Sequence, residues 1–184
     1  MVVEVMGRYA GWIALYAGVG GGADVILIPE IPFDLNKVAE CIMHRDTYGA
    51  RFSIVVVAEG AKPVGGKVSI IKEGNAAVAE RLGGIGAAVT AQLEALTGKE
   101  TRCVVLGHLQ RGGAPTSFDR VLATRFGATA VDVLLAGEHD CMVASRPPHI
   151  VTVPLAEIVG RTRTVPLDSD VVRTARAVGI GFGD

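Results

Sequence analysis

The chain has 184 residues, with 18 Lys plus Arg against 19 Asp plus Glu and a formal net charge of −1. At about 150 residues per domain this is one domain or two small ones, long enough to bury roughly 70% of its unfolded surface without a disulfide or metal staple. A 49% hydrophobic and 20% charged composition excludes a disordered tail or fibrous repeat, and the balanced charge excludes broad nucleic-acid binding, which needs clustered Lys and Arg.

Taken in chain order, Val3-Glu-Val-Met6 runs into Gly7, which reads as a strand-to-helix junction. Residues 9–19 then set Trp12, Leu15, Tyr16 and Val19 on one helical face. Val25 to Ile28, ended by Pro29, predicts a strand buried on both faces. Asp34 is placed to N-cap a helix reaching Arg45, with Leu35, Val38 and Ile42 inward. Ser53 to Ala58 predicts a second buried strand. The clearest helical periodicity covers residues 76–96, through Val78, Leu82, Ile85, Val89, Leu93 and Leu96, and Gly98 stops it. Arg102 to Leu109 predicts a third strand, and Thr116 caps a long helix to Ala136. Beyond Gly137 the pattern gives a strand near Ile150 to Val153 and a helix over 169–178, capped by Asp168 or Ser169. Strand followed by helix, repeated, predicts an α/β fold with a parallel sheet.

Cys41, Cys103 and Cys141 are far apart and form no C-x-x-C pair, so the expectation is no disulfide framework, no zinc site and a cytoplasmic setting. No apolar run approaches the ~20 residues of a membrane helix. Tyr9 to Ala23 resembles the core of a secretory signal, but Glu4 and the interrupting glycines argue against it. Gly18 to Ala23 fits G-x-G-x-x-G/A, yet it follows a helix and precedes a strand, the reverse of a dinucleotide fingerprint. It reads as a helix end. Gly60-Ala-Lys-Pro-Val-Gly-Gly-Lys67 is one residue too long for a phosphate loop, and Val68 stands where Ser or Thr belongs. A mobile surface loop is the expectation there.

In open parallel sheets, ligands bind beyond the carboxyl ends of the strands. Here those ends are followed by Pro29-Glu30, Glu59-Gly60 and His108-Leu-Gln-Arg111-Gly-Gly113. Alternation along the third strand would put Arg102 on the face of Val104, Leu106 and His108. Arginine forks match phosphate oxygens bidentately, and an imidazole adds a donor. The same residues are equally consistent with surface salt bridges and a satisfied core histidine. Gly7 would let backbone approach a ligand, with a phosphate near the following helix N-terminus and Arg8 beside it. The plainer reading is a tight turn with an exposed arginine.

Four runs in this order and spacing resemble the 6-phosphofructokinases: M-G-R-x-x-G at 6–11, I-P-E at 28–30, V-V-V-A-E-G at 55–60 and L-G-H-L-Q-R-G-G-x-P-x-x-x-D-R at 106–120. The likeness covers essentially all 184 residues and is nearest the bacterial group of mixed ATP and pyrophosphate users. It implies the Rossmann-like, sugar-phosphate half of a two-domain kinase. By resemblance, Met6, Gly7 and Arg8 contact fructose 6-phosphate, and Arg8 also stabilises charge on the transferring phosphoryl group. Glu59 accepts hydrogen bonds from sugar hydroxyls, His108 and Arg111 are the pair that holds the 6-phosphate, and Leu109 and Gln110 between them are also substrate-binding. Arg102 reaches the 6-phosphate of a neighbouring subunit, which implies a homo-oligomer with shared sites.

The resemblance also implies that this chain is the carboxyl-terminal half. The family's G-G-D-x-x-G nucleotide loop and T-I-D-x-D catalytic motif do not occur in it, nor do ligands for the implied Mg²⁺. Residues 111–150 are expected to pack against that other half, with Phe118, Leu122 and Phe126 apolar on the surface. Asp24 matches an acidic effector position, but Tyr48-Gly-Ala-Arg51-Phe52 replaces the expected lysines, which makes nucleotide activation doubtful. The reaction implied is phosphoryl transfer from ATP or pyrophosphate to the 1-hydroxyl of fructose 6-phosphate in glycolysis, with the isolated chain inactive. The alternative is a non-catalytic sugar-phosphate-binding or scaffold fragment.

Overall fold

The computed structural model describes residues 1–72 and 80–184. Strand β1 (Val2–Val5) leads through α1 (Trp12–Gly20) to β2 (Val25–Leu27), and α2 (Leu35–Thr47) returns the chain to β3 (Val55–Ala58). An antiparallel pair, β4 (Ile70–Lys72) and β5 (Arg81–Leu82), precedes α3 (Ile85–Thr97) and β6 (Cys103–Val105). Strands β2, β3, β1 and β6 lie parallel, in that order, in one sheet. The fold is α/β, as the alternation predicts.

Strands β1, β2 and β3 are apolar, Glu4 apart, because helices cover both of their faces, whereas Val104 and Val105 of the edge strand β6 are exposed. Val5, Ile26, Val56 and Ala58 pack with Ala14 and Leu15 of α1 and with Val172 and Ala175 of α5 (Asp170–Ala177). Val2, Val25, Leu27, Val55 and Val57 face Val38 of α2 and Val89 and Leu93 of α3. Each Val, Leu or Ile among them, once buried, contributes roughly 1.5–3 kcal/mol. Glu4 is the exception on that second face, only 3% exposed. Its carboxylate accepts from the Gly84 and Gly86 N–H groups at 3.3 and 2.8 Å. A buried charge held this way at a helix N-terminus is tolerable.

Several expectations shift. On α1 Ala14, Leu15 and Gly18 are buried, with Trp12 and Val19 partly buried against the same core, whereas Tyr16 is exposed. The helix turns its small residues to the sheet, and a Cβ on Gly18 would lie 2.5 Å from Ile26. The helix predicted from residue 76 begins at Ile85: Leu82 belongs to β5, and Gly83 and Gly84 have φ of 137° and 83°. Val78 lies outside the described residues. Leu96 is exposed, while Gly98, at φ 66°, ends α3 as expected. The third strand stops at Val105, and residues Gly107–Arg111 form a 3-10 turn. His108 therefore does not alternate with Arg102. The loop after Gly60 is anchored rather than free, since Phe33 N–H donates to Lys62 O and Val64 N–H to Phe33 O.

Residues 112–161 form a second unit. In it α4 (Ser117–Leu135) packs on a hairpin of β7 (Cys141–Arg146) and β8 (His149–Pro154). Thr116 caps α4 in a reciprocal box with Asp119, as its sequence predicts. Leu122 and Phe126 are half-buried and Phe118 is exposed; no residue of this unit is buried. Among the described residues no helix is long and apolar enough to cross a membrane.

Ser169, not Asp168, is the N-cap of α5, although its hydroxyl makes no capping hydrogen bond. At the other end, Arg176 donates to both Asp184 oxygens and lies 4.9 Å over the Phe182 ring. That hydrogen bond holds the Asp184 carboxyl below its ordinary range. A depressed carboxyl stabilises the fold fully above its unfolded pKa and loses that contribution as pH falls through the folded one. Both partners are partly exposed, so the contribution is under about 1 kcal/mol. Urea midpoints of the full-length protein should converge with those of Asp184→Asn below about pH 3 and separate above about pH 4. Curves that stay parallel throughout contradict this pairing.

Candidate functional site

Because β3, β1 and β6 are neighbours, their carboxyl ends bring Glu59, Met6 to Arg8 and the Gly107–Arg111 turn together. A cleft of about 350 Å³ there is lined by Glu4, Met6, Arg8, Glu59, His108 and Arg111, among others. A second, of about 520 Å³, adds Gly7, Tyr9, Gln110 and Thr162 to Met6, Arg8, Glu59 and Arg111. The four shared residues are the centre of the site.

The backbone between β1 and α1 is held by side chains from other strand ends. Met6 N–H donates to Gln110 Oε1 at 2.7 Å. Gly7 and Arg8 N–H both donate to Glu59 Oε1, at 3.2 and 2.9 Å. Gly11 N–H, at the start of α1, is held by the Glu30 carboxylate at 3.0 and 3.1 Å. Within this turn Arg8 has φ 51°, a left-handed conformation costing about 1–2 kcal/mol in a residue with a side chain. Gly60 packs against it so closely that a Cβ there would lie 1.7 Å from Arg8 O. Strain of this kind persists where surroundings over-determine it, and such places cluster at functional sites.

This geometry overturns one expectation. A phosphate cannot use the N-terminus of α1 while Glu30 fills it, and the Gly7 and Arg8 amides are already taken. The groups left to meet an anion are the side chains of Arg8, His108 and Arg111. Arg8 extends to Glu80 O, with Nη2 at 3.4 Å. Glu59 Oε1 is committed to backbone, leaving Oε2 for a hydroxyl donor.

Other sequence candidates lie elsewhere. Arg102 is at the opposite end of β6 from His108, exposed, with its guanidinium on Glu100 at 2.6 and 2.9 Å. It does not cluster with His108 and Arg111. The Leu109 side chain is exposed and lines neither cleft. Asp24, nearly buried, spends its carboxylate on Arg45 at 2.8 Å and on Ile54 N–H at 2.7 Å, so no effector ligand is needed to explain it. The sequence alone assigns no role to Glu30 or Glu4; a lone carboxylate after or within an apolar strand is its one signal for them. Among the described residues, no group of three His, Cys, Asp or Glu is placed to hold a metal.

The phosphofructokinase family model matches residues 1–134. The chain belongs to the phosphofructokinase family. It is 59% identical over 184 residues to an ATP-dependent 6-phosphofructokinase of Chloroflexus aurantiacus, covering 100% of this chain and 50% of that protein. It is 52% identical over 168 residues to a pyrophosphate–fructose 6-phosphate 1-phosphotransferase of Amycolatopsis methanolica, covering 90% of this chain and 49% of that protein. The chain thus spans about half the length of the curated relatives it matches. The crystal structure of a pyrophosphate-dependent phosphofructokinase from Nitrosospira multiformis superposes with TM-score 0.74 at 25% identity, over 100% of this chain and 48% of that one.

The close fit of Gly60 under the Arg8 carbonyl yields a test of the turn. Gly60→Ala in the full-length protein should lose about 1–3 kcal/mol of stability, the usual cost of overpacking. Urea unfolding measures it. A variant with the parent's midpoint would show that the turn yields freely.

Proposed function

We propose that this chain supplies the sugar-phosphate site of a 6-phosphofructokinase, which transfers a phosphoryl group to the 1-hydroxyl of fructose 6-phosphate in glycolysis. The observation that carries the reading is the convergence of Arg8, Glu59, His108 and Arg111 at adjoining strand ends, in a chain belonging to this family. In this reading His108 and Arg111 hold the 6-phosphate, charged donors meeting a dianion. Glu59 Oε2 accepts a sugar hydroxyl, Met6 and Gly7 border the sugar, and Gln110 fixes Met6. The exposed Leu109 contributes through the backbone of its turn.

Arg8 faces the phosphoryl group in flight, where a fixed cation counts most as charge spreads over the oxygens. The donor is ATP or pyrophosphate; similar relatives carry either in their names. Donor, the base for the 1-hydroxyl and Mg²⁺ are assigned to the half of the enzyme outside these 184 residues. Magnesium would neutralise phosphoryl oxygens there, and this chain's part is to bind and orient the sugar. The cytoplasm is the proposed location.

We further propose that residues 111–150 pack against that other half, an account favoured by a unit in which no residue is buried. Arg102, exposed and remote from its own cleft, is assigned to a neighbouring subunit's 6-phosphate in a homo-oligomer. The 184 residues alone should then give no turnover.

The test compares Arg111→Ala with Arg8→Ala in the full-length enzyme, varying sugar and donor separately. Arg111→Ala should weaken apparent sugar affinity by about 2–3 kcal/mol, the loss of a charged hydrogen-bond partner, and leave the donor constant unchanged. Arg8→Ala should lower kcat more than it raises the sugar constant, as a contact made mainly in the transition state does. A donor constant that moves alone, or an Arg8 variant with normal turnover, would refute these assignments.

A further inference from the structure

The I-P-E run at 28–30 ends on a carboxylate with no role in the reaction as assigned. Glu30 lies just past β2, two strands from β1 in the sheet. It lines neither cleft. Its two oxygens nevertheless hold Gly11 N–H at 3.0 and 3.1 Å, and Oε1 also accepts from Val165 N–H at 2.8 Å. Gly11 closes the turn that carries Arg8. Val165 is buried and stands three residues beyond Thr162, which lines the second cleft. One side chain is thus tied to the two segments, the Arg8 turn and the run from Thr162, that supply residues to that cleft.

The fit is close. A Cβ on Gly11 would lie 2.8 Å from Glu30 Oε2 and 2.4 Å from Ile28, so only glycine lets the carboxylate reach the amide. The acceptor is charged and stands at the N-terminus of a nine-residue helix, where both charge and dipole strengthen the bond. Upstream, Arg8 is gripped by Glu59 through its own amide and that of Gly7. Downstream, the turn has the Ala10 N–H to Gly7 O bond and Glu30. A left-handed arginine needs holding on both sides, and of the two downstream contacts Glu30 is the one that ties the turn to a distant part of the chain, as Glu59 does upstream.

We propose that Glu30 is the positioning residue for Arg8: it clamps Gly11 and Val165 together and so aims the guanidinium into the cleft. The inference rests on the phosphofructokinase reading, and it leaves His108 and Arg111 untouched on the β6 side. Loss of Glu30 therefore misplaces the transition-state cation while ground-state sugar phosphate binding stays intact.

The experiment uses Glu30→Gln and Glu30→Asp in the full-length protein, with fructose 6-phosphate varied at saturating donor and amide exchange followed in parallel. Glu30→Gln should lower kcat by between about tenfold and a hundredfold, the scale of ångström misplacement, with the sugar KM within about twofold. Amides of Gly11 and Val165 should exchange faster, and those near Arg111 should not. Glu30→Asp, which keeps the charge, should restore part of kcat and serves if the glutamine variant does not fold. A kcat within about twofold of the parent, a raised sugar KM with kcat intact, or unchanged exchange at Gly11 overturns the proposal. A parent protein that does not phosphorylate fructose 6-phosphate refutes the functional reading alone, and the exchange measurement then still decides whether Glu30 holds the turn.

Discussion

Everything in the site depends on how the chain satisfies its backbone donors between Met6 and Gly11. A turn leaving a central strand to start a helix exposes several N–H groups, each costly if left unmet. Here Gln110, Glu59 and Glu30 meet them from three other strand ends. The result is a left-handed Arg8 held against Gly60. Interlocking of this kind ties the sheet order to the site: only with β1 between β3 and β6 do Glu59 and Gln110 reach the same turn.

The consequence is chemical. Many phosphate sites in α/β proteins use a glycine-rich turn and bare helix amides. In this chain carboxylates occupy those amides, so the groups placed to meet an anion are side-chain cations. Arginine and imidazole can be placed at different distances from a substrate, one to hold a ground state and one to meet developing charge, whereas a helix end offers a single fixed locus. That division agrees with Arg111 and His108 on the β6 turn and Arg8 on the β1 turn.

Much of this was legible beforehand. The apolar runs at 25–28 and 53–58, the caps at Asp34 and Thr116 and the stop at Gly98 were readable because each follows from local chemistry. Long-range facts were less so. Helical periodicity from 76 onward ran through Leu82 into a true helix, and only the paired glycines at 83 and 84 marked the break. The strand expected from Arg102 to Leu109 overruns its true end at Val105, because Leu106 to His108 continues an alternating pattern that the 3-10 turn interrupts. Arg102 consequently lies at the opposite end of β6 from His108. The helix N-terminus looked open to phosphate because nothing local reveals that Glu30, nineteen positions away, fills it.

The account's central claim is that side chains, not the amides of the Arg8 turn, receive the sugar's phosphate. A crystal structure of the full-length protein with fructose 6-phosphate tests it most directly. The account predicts the 6-phosphate between His108 and Arg111, with Gly7 and Arg8 N–H still on Glu59 and Gly11 N–H still on Glu30. A phosphate seated on the Gly7 to Gly11 amides, with either carboxylate displaced, would contradict it.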